Sequence, residues 1–407
     1  MLMSPVRYLL WCGLSLLPFA TPVMAQIEPE QAYVATLTAH KDQRWFWVWG
    51  NNAPNMVDGR AYLFDADGKN LGQLSTGMWF NSLLPSHKRD ELYAIETYFS
   101  RGTRGIRSDM ITVYDAKTLS PKREISIPSK RLNALTNTGL SVLSDDERFL
   151  LVLNFTPAQS ISIVDLENNR FVSEVATSGC ASIYPAGERD FYSICGNGGF
   201  LHLRLDEQGK PNVMERTEPL FDPLKDLLLT AASRMGDTWY FVSQQNQAYA
   251  IQMNASGIQL TRRWSLISDE ERADGWSIAG NQGTALHQES GRLFVLMHKD
   301  KLENYQKPGT EVWVYNVKTK QRITRIELKE QSTAIGVSQG PQPLLYSVDW
   351  IVPMPFLFTT WIYLTEGEEG LVPLLRQGVN LYDADNGKHL RSIGDLPVGF
   401  LNMVQPW

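Results

Sequence analysis

The side chains that could carry acid–base or metal chemistry are scattered along this sequence. Its histidines lack the spacing of paired metal ligands, and the H-E-x-x-H motif and the Walker loop are absent. The histidines are His40, His87, His202, His287, His298 and His389. The Gly-rich run 196–199 lies between two predicted strands, which favours a turn over a nucleotide site. The sequence therefore predicts no catalytic group and no metal site on this chain.

Two acidic turns, Asp65–Gly68 and Asp383–Gly387, faintly resemble calcium-binding loops. Neither is followed by the bidentate Glu that completes such a loop. Both stand where the chain must reverse between strands, and Asp and Gly are favoured there for backbone reasons. Arg101, Arg104 and Arg107 share a Gly-containing loop, where they could bind an anion or a partner's carboxylate, or form a salt-bridged connection.

The first 25 residues have the pattern of an export signal. Arg7 supplies the positive end, Tyr8–Ala20 is an apolar run, and Val23–Ala25 is a cleavage site ahead of Gln26. Because the run is too short to span a bilayer comfortably, we expect residues 1–25 to be a cleaved signal peptide. This predicts an exported protein without stable membrane insertion. A retained anchor is the alternative.

Two cysteines remain after the signal, which carries Cys12. Cys180 and Cys195 form an even pair in a protein expected to be exported, which favours a disulfide closing a short loop. Two free, buried thiols are the alternative.

One structural unit recurs along the rest of the chain: an alternating strand, a tight polar turn and a second alternating strand. At 379–393 the turn is Asp-Asn-Gly. Further copies start at 61, 111, 161, 201, 248 and 312, which makes seven. Each copy follows a more continuously apolar strand, such as FLLVLNF at 149–155, as expected of a strand covered on both faces. Recurrence of such a unit every 40–50 residues or so is typical of a propeller blade.

We therefore predict an all-β fold, a seven-bladed β-propeller that forms a single domain over 26–407. Leu396–Val404 is expected to pair with the N-terminal strands as the innermost strand of the first blade, which closes the ring. Ser268–Gly275 predicts one short helix with a Ser cap. The apolar segment 350–375 does not fit the repeat and is interpreted as an insertion in the last blade. It could be an extra hairpin, a partner-docking surface or a membrane contact.

The charge balance limits the class of partner. The net charge is −6, which argues against nucleic acid. An exported propeller without a visible active site is usually a platform that binds or shapes another molecule.

Five stretches together indicate a family. They are YFSRGTRG at 98–105, SIYPAGERDFYSI between the paired cysteines, ERADGW at 271–276, GVSQ ahead of PLLY at 336–346, and LYDADNGKHLRSI at 381–393. Over most of the mature chain, and in this order, they resemble the heavy chain of the methylamine and aromatic amine dehydrogenases.

The resemblance implies a seven-bladed propeller that acts as the large subunit of a periplasmic, quinone-dependent amine dehydrogenase. Such an enzyme oxidatively deaminates a primary amine to an aldehyde and ammonia. Two heavy and two light chains would assemble, with the cofactor tryptophan tryptophylquinone and the catalytic base on the light chain. Electrons would pass to a cupredoxin of the amicyanin or azurin type.

The resemblance also assigns residues. It implies a disulfide between Cys180 and Cys195, and an aromatic wall of the amine channel in the loop Gly77–Phe80. Phe80 is the first candidate for that wall and Trp79 the second. A ring there would select amines by size; ordinary packing between subunits is the alternative.

Two stretches depart from the family pattern. The family's Trp-Arg-Pro-Gly-Gly run is here Trp276–Gly280, and the insertion 350–375 has no counterpart. These departures keep two alternatives open: a non-catalytic periplasmic propeller that serves as a binding or assembly platform, and a propeller hydrolase whose metal ligands are spread over several blades.

Overall fold

The computed structural model describes residues 36–37, 44–51, 56–134, 136–351, 364–365, 376–394, 396 and 400–407. The predicted signal peptide and nearly all of the insertion 350–375 lie outside these ranges. The described part consists almost entirely of antiparallel strands, with one α-helix and one short 3₁₀ turn. The all-β prediction is confirmed.

Five separate four-stranded sheets hold most of the strands. The first is β28 (Phe400–Pro406), β1 (Phe46–Asn51), β2 (Gly59–Phe64) and β3 (Asn70–Gly77). The second is β4 (Ser82–Pro85), β5 (Glu91–Arg101), β6 (Arg104–Asp115) and β7 (Pro121–Ile127). The third is β8 (Ser141–Leu143), β9 (Phe149–Asn154), β10 (Ser160–Asp165) and β11 (Arg170–Ala176).

The last two four-stranded sheets follow the same order. The fourth is β12 (Cys180–Pro185), β13 (Asp190–Cys195), β14 (Phe200–Leu205) and β15 (Pro211–Arg216). The fifth is β16 (Ser233–Met235), β17 (Thr238–Val242), β18 (Gln247–Asn254) and β19 (Gly257–Ser265). Each of these five sheets is one propeller blade.

The remaining strands form a single eight-stranded sheet. They are β20 (Trp276–Ile278), β21 (Thr284–His287), β22 (Arg292–Lys299), β23 (Gly309–Asn316), β24 (Arg322–Val337), β25 (Leu344–Ile351), β26 (Arg376–Asp383) and β27 (His389–Ile393). The 3₁₀ turn Leu302–Asn304 lies between β22 and β23.

The blade count differs from the prediction. The structure shows five separate blades rather than seven, because β24 continues without interruption for 16 residues. Its first part pairs with β23 and its last part pairs with β25, with a register shift between Ser332 and Ala334. The strands predicted to form two further blades are thereby joined in one sheet. The seven predicted hairpins themselves are all present.

The C-terminal strand closes the ring, as predicted. β28 pairs antiparallel with β1 from Phe46↔Pro406 to Asn51↔Phe400. Gln282, which is buried, ties this closing strand to the eight-stranded sheet. Its side-chain Nε2 donates to the carbonyls of Ile335 (3.0 Å) and Val404 (2.8 Å), and its Oε1 accepts the Val404 N–H (3.2 Å).

The buried apolar side chains form layers between successive sheets rather than a single central core. Phe46 and Tyr62 of the first sheet pack against Tyr346 and Leu381 of the eight-stranded sheet, and every other pair of neighbouring sheets shares a similar apolar layer. Burial of these faces is the main stabilising contribution expected for such a ring.

The predicted short helix is also confirmed. Helix α1 spans Asp269–Ala273 and begins at a capping box. The Ser268 hydroxyl accepts the Glu271 N–H (3.2 Å), and the Glu271 carboxylate accepts the Ser268 N–H (2.9 Å). No helix in the described ranges has the length and apolar character needed to cross a membrane.

Candidate substrate channel

A cavity of about 580 Å³ lies where the loops that lead into several inner strands converge. None of the described residues that line it carries a charged side chain. Phe80, Leu132, Leu140, Leu153, Leu227 and Tyr305 form much of its apolar wall. A wall of this kind can hold the apolar part of a small molecule and exclude a larger one, but it offers no acid or base.

A second, more polar cavity of about 520 Å³ continues from the first, since Thr136 and Asn137 line both. The Asn137 side-chain amide donates to the Thr230 hydroxyl, a contact between two loops that line the first cavity. The second cavity is bordered by Asp145, whose carboxylate accepts two hydrogen bonds from the Arg234 guanidinium at 2.6 and 2.8 Å.

The structure separates the two predicted channel residues. Phe80 lines the apolar cavity, whereas Trp79 lies beside it with 37% of its surface exposed. Both belong to the segment Gly77–Phe80, which leads from β3 to β4. Phe80 is thus part of the wall of this cavity, and its role as a size-selecting ring of an amine channel stays a prediction.

The backbone of this segment is unusual. Gly77 and Trp79 both have positive φ angles, of 75° and 60°. A glycine is needed at 77, because a Cβ there would lie 2.9 Å from the Glu96 Cβ. Trp79 in the left-handed region costs about 1–2 kcal/mol, which the surrounding contacts must offset.

Residues distant in the sequence hold the segment by its backbone. The Met78 N–H donates to the Thr97 carbonyl (3.0 Å) and the Trp79 N–H to the Met56 carbonyl (2.8 Å). The Asn51 side-chain amide donates to the Trp79 carbonyl. The segment is therefore fixed by its neighbours and not by contacts within itself.

Two further carbonyls of the segment, those of Met78 and Phe80, bind Arg131. This guanidinium donates from Nη1 to the Phe80 carbonyl (2.7 Å), from Nη2 to the Met78 carbonyl (3.3 Å) and from Nε to the Thr97 hydroxyl (2.7 Å). Burial lowers the pKa of Arg131 to about 10, so the side chain remains charged at neutral pH.

Asp109 supplies the compensating negative charge. Its carboxylate accepts the Arg131 backbone N–H (2.9 Å), the Thr97 hydroxyl (2.8 Å) and two hydrogen bonds from the Arg107 guanidinium (2.9 and 2.8 Å). Arg107, one of the three arginines noted in the sequence, thus belongs to this network. Arg101 and Arg104 are exposed and flank the turn between β5 and β6.

A buried carboxyl, Glu96, lies under the segment. Burial raises its pKa to about 7, although hydrogen bonds from Thr112 and Tyr98 lower it. Arg131, Asp109 and Glu96 were not anticipated as parts of the site. The only signal in the sequence that could have pointed to them is a charged residue within an otherwise apolar strand pattern.

The cysteine prediction is confirmed. Cys180 and Cys195 are directly opposite each other in β12 and β13 and form a disulfide. The next two residues, Ala181 and Ser182, line the apolar cavity. The Arg216 guanidinium donates to Cys180 Sγ (2.9 Å).

The acidic turns act as turns. Asp65 accepts the backbone N–H groups of Asp67 (2.9 Å) and Lys69 (2.8 Å), and Asp383 binds its own turn in the same way. Within the described residues, no group of three or more His, Cys, Asp or Glu side chains is placed to hold a metal ion.

One motif match was overlooked in the sequence. Gly336–Gly340 fits the pattern G-x-S-x-G, which marks the nucleophile of many hydrolases. Ser338, however, is buried in the hairpin between β24 and β25, and its hydroxyl accepts the Leu344 N–H (2.8 Å). A nucleophile of that class stands at a strand-to-helix turn, so the match is structural here.

Solved structures resemble this chain in fold. One is a dihydro-heme d1 dehydrogenase, with a TM-score of 0.52 at 13% identity, covering 92% of this chain and 77% of that chain. At this identity the likeness concerns the fold alone.

The sequence comparisons are more specific. The methylamine dehydrogenase heavy chain from Methylophilus methylotrophus is 27% identical over 341 residues, or 82% of this chain and 77% of that protein. The heavy chain from Paracoccus versutus is 29% identical over 306 residues, or 74% and 66% of the two chains. The family model for the methylamine dehydrogenase heavy chain matches residues 48–362. This chain therefore belongs to the methylamine dehydrogenase heavy chain family.

Proposed function

We propose that this chain is the large subunit of a periplasmic, quinone-dependent amine dehydrogenase that converts primary amines to aldehydes and ammonia. Membership of the heavy chain family supports an amine dehydrogenase subunit. The observation that supports a particular site for this function is the position of Phe80 on the wall of an uncharged, largely apolar cavity.

The chemistry would be divided between two chains. A heavy chain implies a light-chain partner. We propose that the light chain carries tryptophan tryptophylquinone and the catalytic base, and that this chain carries neither. The cavity around Phe80 suits this division, because its described lining has shape and apolar surface but no titratable carboxyl, imidazole or amine. We further propose two heavy and two light chains, and a cupredoxin of the amicyanin or azurin type as electron acceptor.

Exposed apolar side chains near the cavity support a docking face for the light chain there. Trp79 adjoins Phe80 in the chain, and Leu227 lines the cavity while being 39% exposed. Phe155 is 53% exposed, and its N–H donates to the carbonyl of Lys130, beside Arg131. Rings and aliphatic side chains of this kind are enriched at subunit interfaces.

We also propose that the segment 1–25 directs export of this chain to the periplasm and is then cleaved.

The first test is purification of the protein from periplasm of its native cells, followed by a gel and an absorbance spectrum. We expect a small co-purifying subunit and a quinone band that bleaches when methylamine or benzylamine is added. A single colourless chain that is inert to both amines would contradict the proposal and favour a platform without catalysis.

The second test addresses Phe80. We expect Phe80→Ala to raise the ratio of kcat/KM for benzylamine over that for methylamine by about 10-fold or more, because the ring no longer limits amine size. Trp79→Ala should change this ratio less, since Trp79 lies beside the cavity. Phe155→Ala is the control for losing an exposed ring. Equal ratios in all three variants would show that Phe80 does not select amines.

A further inference from the structure

We propose that Arg131 is a positioning residue for Phe80: its buried guanidinium holds the two carbonyls on either side of Trp79 and so fixes the ring in the cavity wall. The consequence for amine selection rests on the proposed function, in which Phe80 limits the size of the channel. The positioning itself can be measured without any amine.

The hydrogen-bond geometry distinguishes this arginine from an ordinary buried ion pair. Its side-chain nitrogens bind the Met78 and Phe80 carbonyls and the Thr97 hydroxyl, and within the described part of the chain none of them binds a carboxylate. Asp109 instead accepts the backbone N–H of Arg131 and the guanidinium of Arg107. Asp109 therefore compensates the positive charge of Arg131 without accepting from its guanidinium. The guanidinium donors are left to bind Thr97 and the segment that carries Phe80.

Lysine cannot take over this role. A guanidinium presents several N–H groups in a rigid, planar fork, whereas an ammonium group is a compact charge on a flexible stem. The acceptors of Arg131 include carbonyls two residues apart, at Met78 and Phe80, and the Nε donor is used at the same time. Arg131→Lys therefore keeps the charge beside Asp109 and removes the fork.

The same geometry explains why the segment needs an external anchor. Trp79 has φ of 60°, in a region that bulky residues rarely occupy. No hydrogen bond between residues 77 and 80 holds it there; the partners are Met56, Thr97, Asn51 and Arg131. Among the residues that the structure describes, Arg131 is the one that binds backbone carbonyls on both sides of Trp79. Its loss should release the backbone of the segment.

The experiment compares the full-length protein, with any subunit that it carries, with Arg131→Lys. The first readout is amide hydrogen exchange at Met78 and Trp79, whose N–H groups are bonded to the Thr97 and Met56 carbonyls. We expect exchange there to accelerate by about 10-fold or more, with amides of the other sheets unchanged, because the effect is a local opening. The second readout is the ratio of kcat/KM for benzylamine over methylamine, which should rise as in Phe80→Ala.

The matched control is Arg123→Lys. Arg123 lies on β7 of the same sheet and donates to both oxygens of Glu91 (2.7 and 2.9 Å), away from the segment. It should leave the exchange at Met78 and Trp79 and the amine ratio unchanged. If Arg131→Lys does not fold, Thr97→Val replaces it, because it removes the hydroxyl that accepts the Arg131 Nε–H.

The outcomes separate the two proposals. Unchanged exchange at Met78 and Trp79 overturns the positioning role. Faster exchange with an unchanged amine ratio also overturns it, provided that Phe80→Ala shifts the ratio. If Phe80→Ala shifts nothing, the channel role of Phe80 fails and the exchange rates alone decide whether Arg131 positions it. Faster exchange together with a raised ratio supports the role, because a general loss of stability would not change the preference between two amines.

Discussion

The turns Asp65–Gly68 and Gly77–Phe80 stand at opposite ends of one strand, β3, and they are held in opposite ways. In the first, the Asp65 carboxylate accepts N–H groups of residues two and four positions further on. In the second, the anchors are Asn51, Met56, Thr97 and Arg131, the last of them 53 residues from Met78. The first turn only reverses the chain. The second carries the ring that lines the cavity, and its conformation depends on the surrounding sheets.

The largest expected effect is on stability and concerns Asp109, whose carboxylate compensates the charge of Arg131. Asp109→Asn should lower the free energy of unfolding by about 3–5 kcal/mol, because it leaves the buried Arg131 without a compensating carboxylate. Denaturation in urea at neutral pH measures the loss. If Asp109→Asn costs less than about 1 kcal/mol, the buried charge network does not hold this part of the molecule.

The next effect depends on pH and on the buried carboxyl beneath the segment. The pKa of Glu96 is raised from its ordinary value of 4.5 to about 7, so the folded protein binds this proton more tightly than the unfolded chain. Its contribution to stability is complete below pH 4.5 and is lost as the pH rises through 7. Because of Glu96, the free energy of unfolding of the wild type should fall by up to about 3 kcal/mol between pH 5 and pH 8. Glu96→Gln should lack this fall.

Unfolding curves at the two pH values measure this difference. Asp349 is the control, since burial raises its pKa to about 7 as well and it lies in a different sheet. Asp349→Asn should reduce the same pH dependence without altering exchange at Met78. Identical pH dependence in wild type and Glu96→Gln would show that folding does not raise the pKa of Glu96.

A smaller difference in stability is expected between alanine substitutions at the glycines of the two turns. Gly77→Ala should cost about 2 kcal/mol or more, because a left-handed φ is combined with a Cβ contact of 2.9 Å to Glu96. Gly68→Ala has nearly the same φ, but its Cβ would meet only side-chain atoms beyond the Cβ, Arg391 Cδ at 2.8 Å and Ile393 Cγ1 at 3.0 Å, which can shift more easily than the Cβ of the buried Glu96. It should cost about 1 kcal/mol. Thermal unfolding of both variants tests the ranking, and equal losses would contradict it.

The smallest effect is expected in the local turn itself. Asp65→Ala removes two hydrogen bonds in an exposed turn, so it should cost about 1 kcal/mol or less. Its exchange and unfolding behaviour should otherwise match wild type. A loss as large as that of Asp109→Asn would mean that local turn chemistry, and not the distant network, limits stability.

Local features of the fold were predictable because their causes lie within a few residues. The Asp-containing turns, the capping box at Ser268 and Glu271 and the alternation of each hairpin depend on short-range hydrogen bonds and on the period of two in a strand. The paired cysteines were likewise visible, because the predicted export signal and an even count of cysteines after it favour a disulfide. Phe80 was chosen through the family resemblance; it lines the apolar cavity, and its role in selecting amines stays a prediction.

The sequence by itself determined the all-β class, the seven hairpins, the closing strand and the bonded cysteines. Only the tertiary structure decided that β24 joins two groups of strands into one sheet, since the pairing partners of a long strand are set by its neighbours. It also decided that Arg131, Asp109 and Glu96 meet beneath Gly77–Phe80. A buried charge must be paired, and its partners here are distant in the sequence. No local pattern of residues therefore predicts which groups meet.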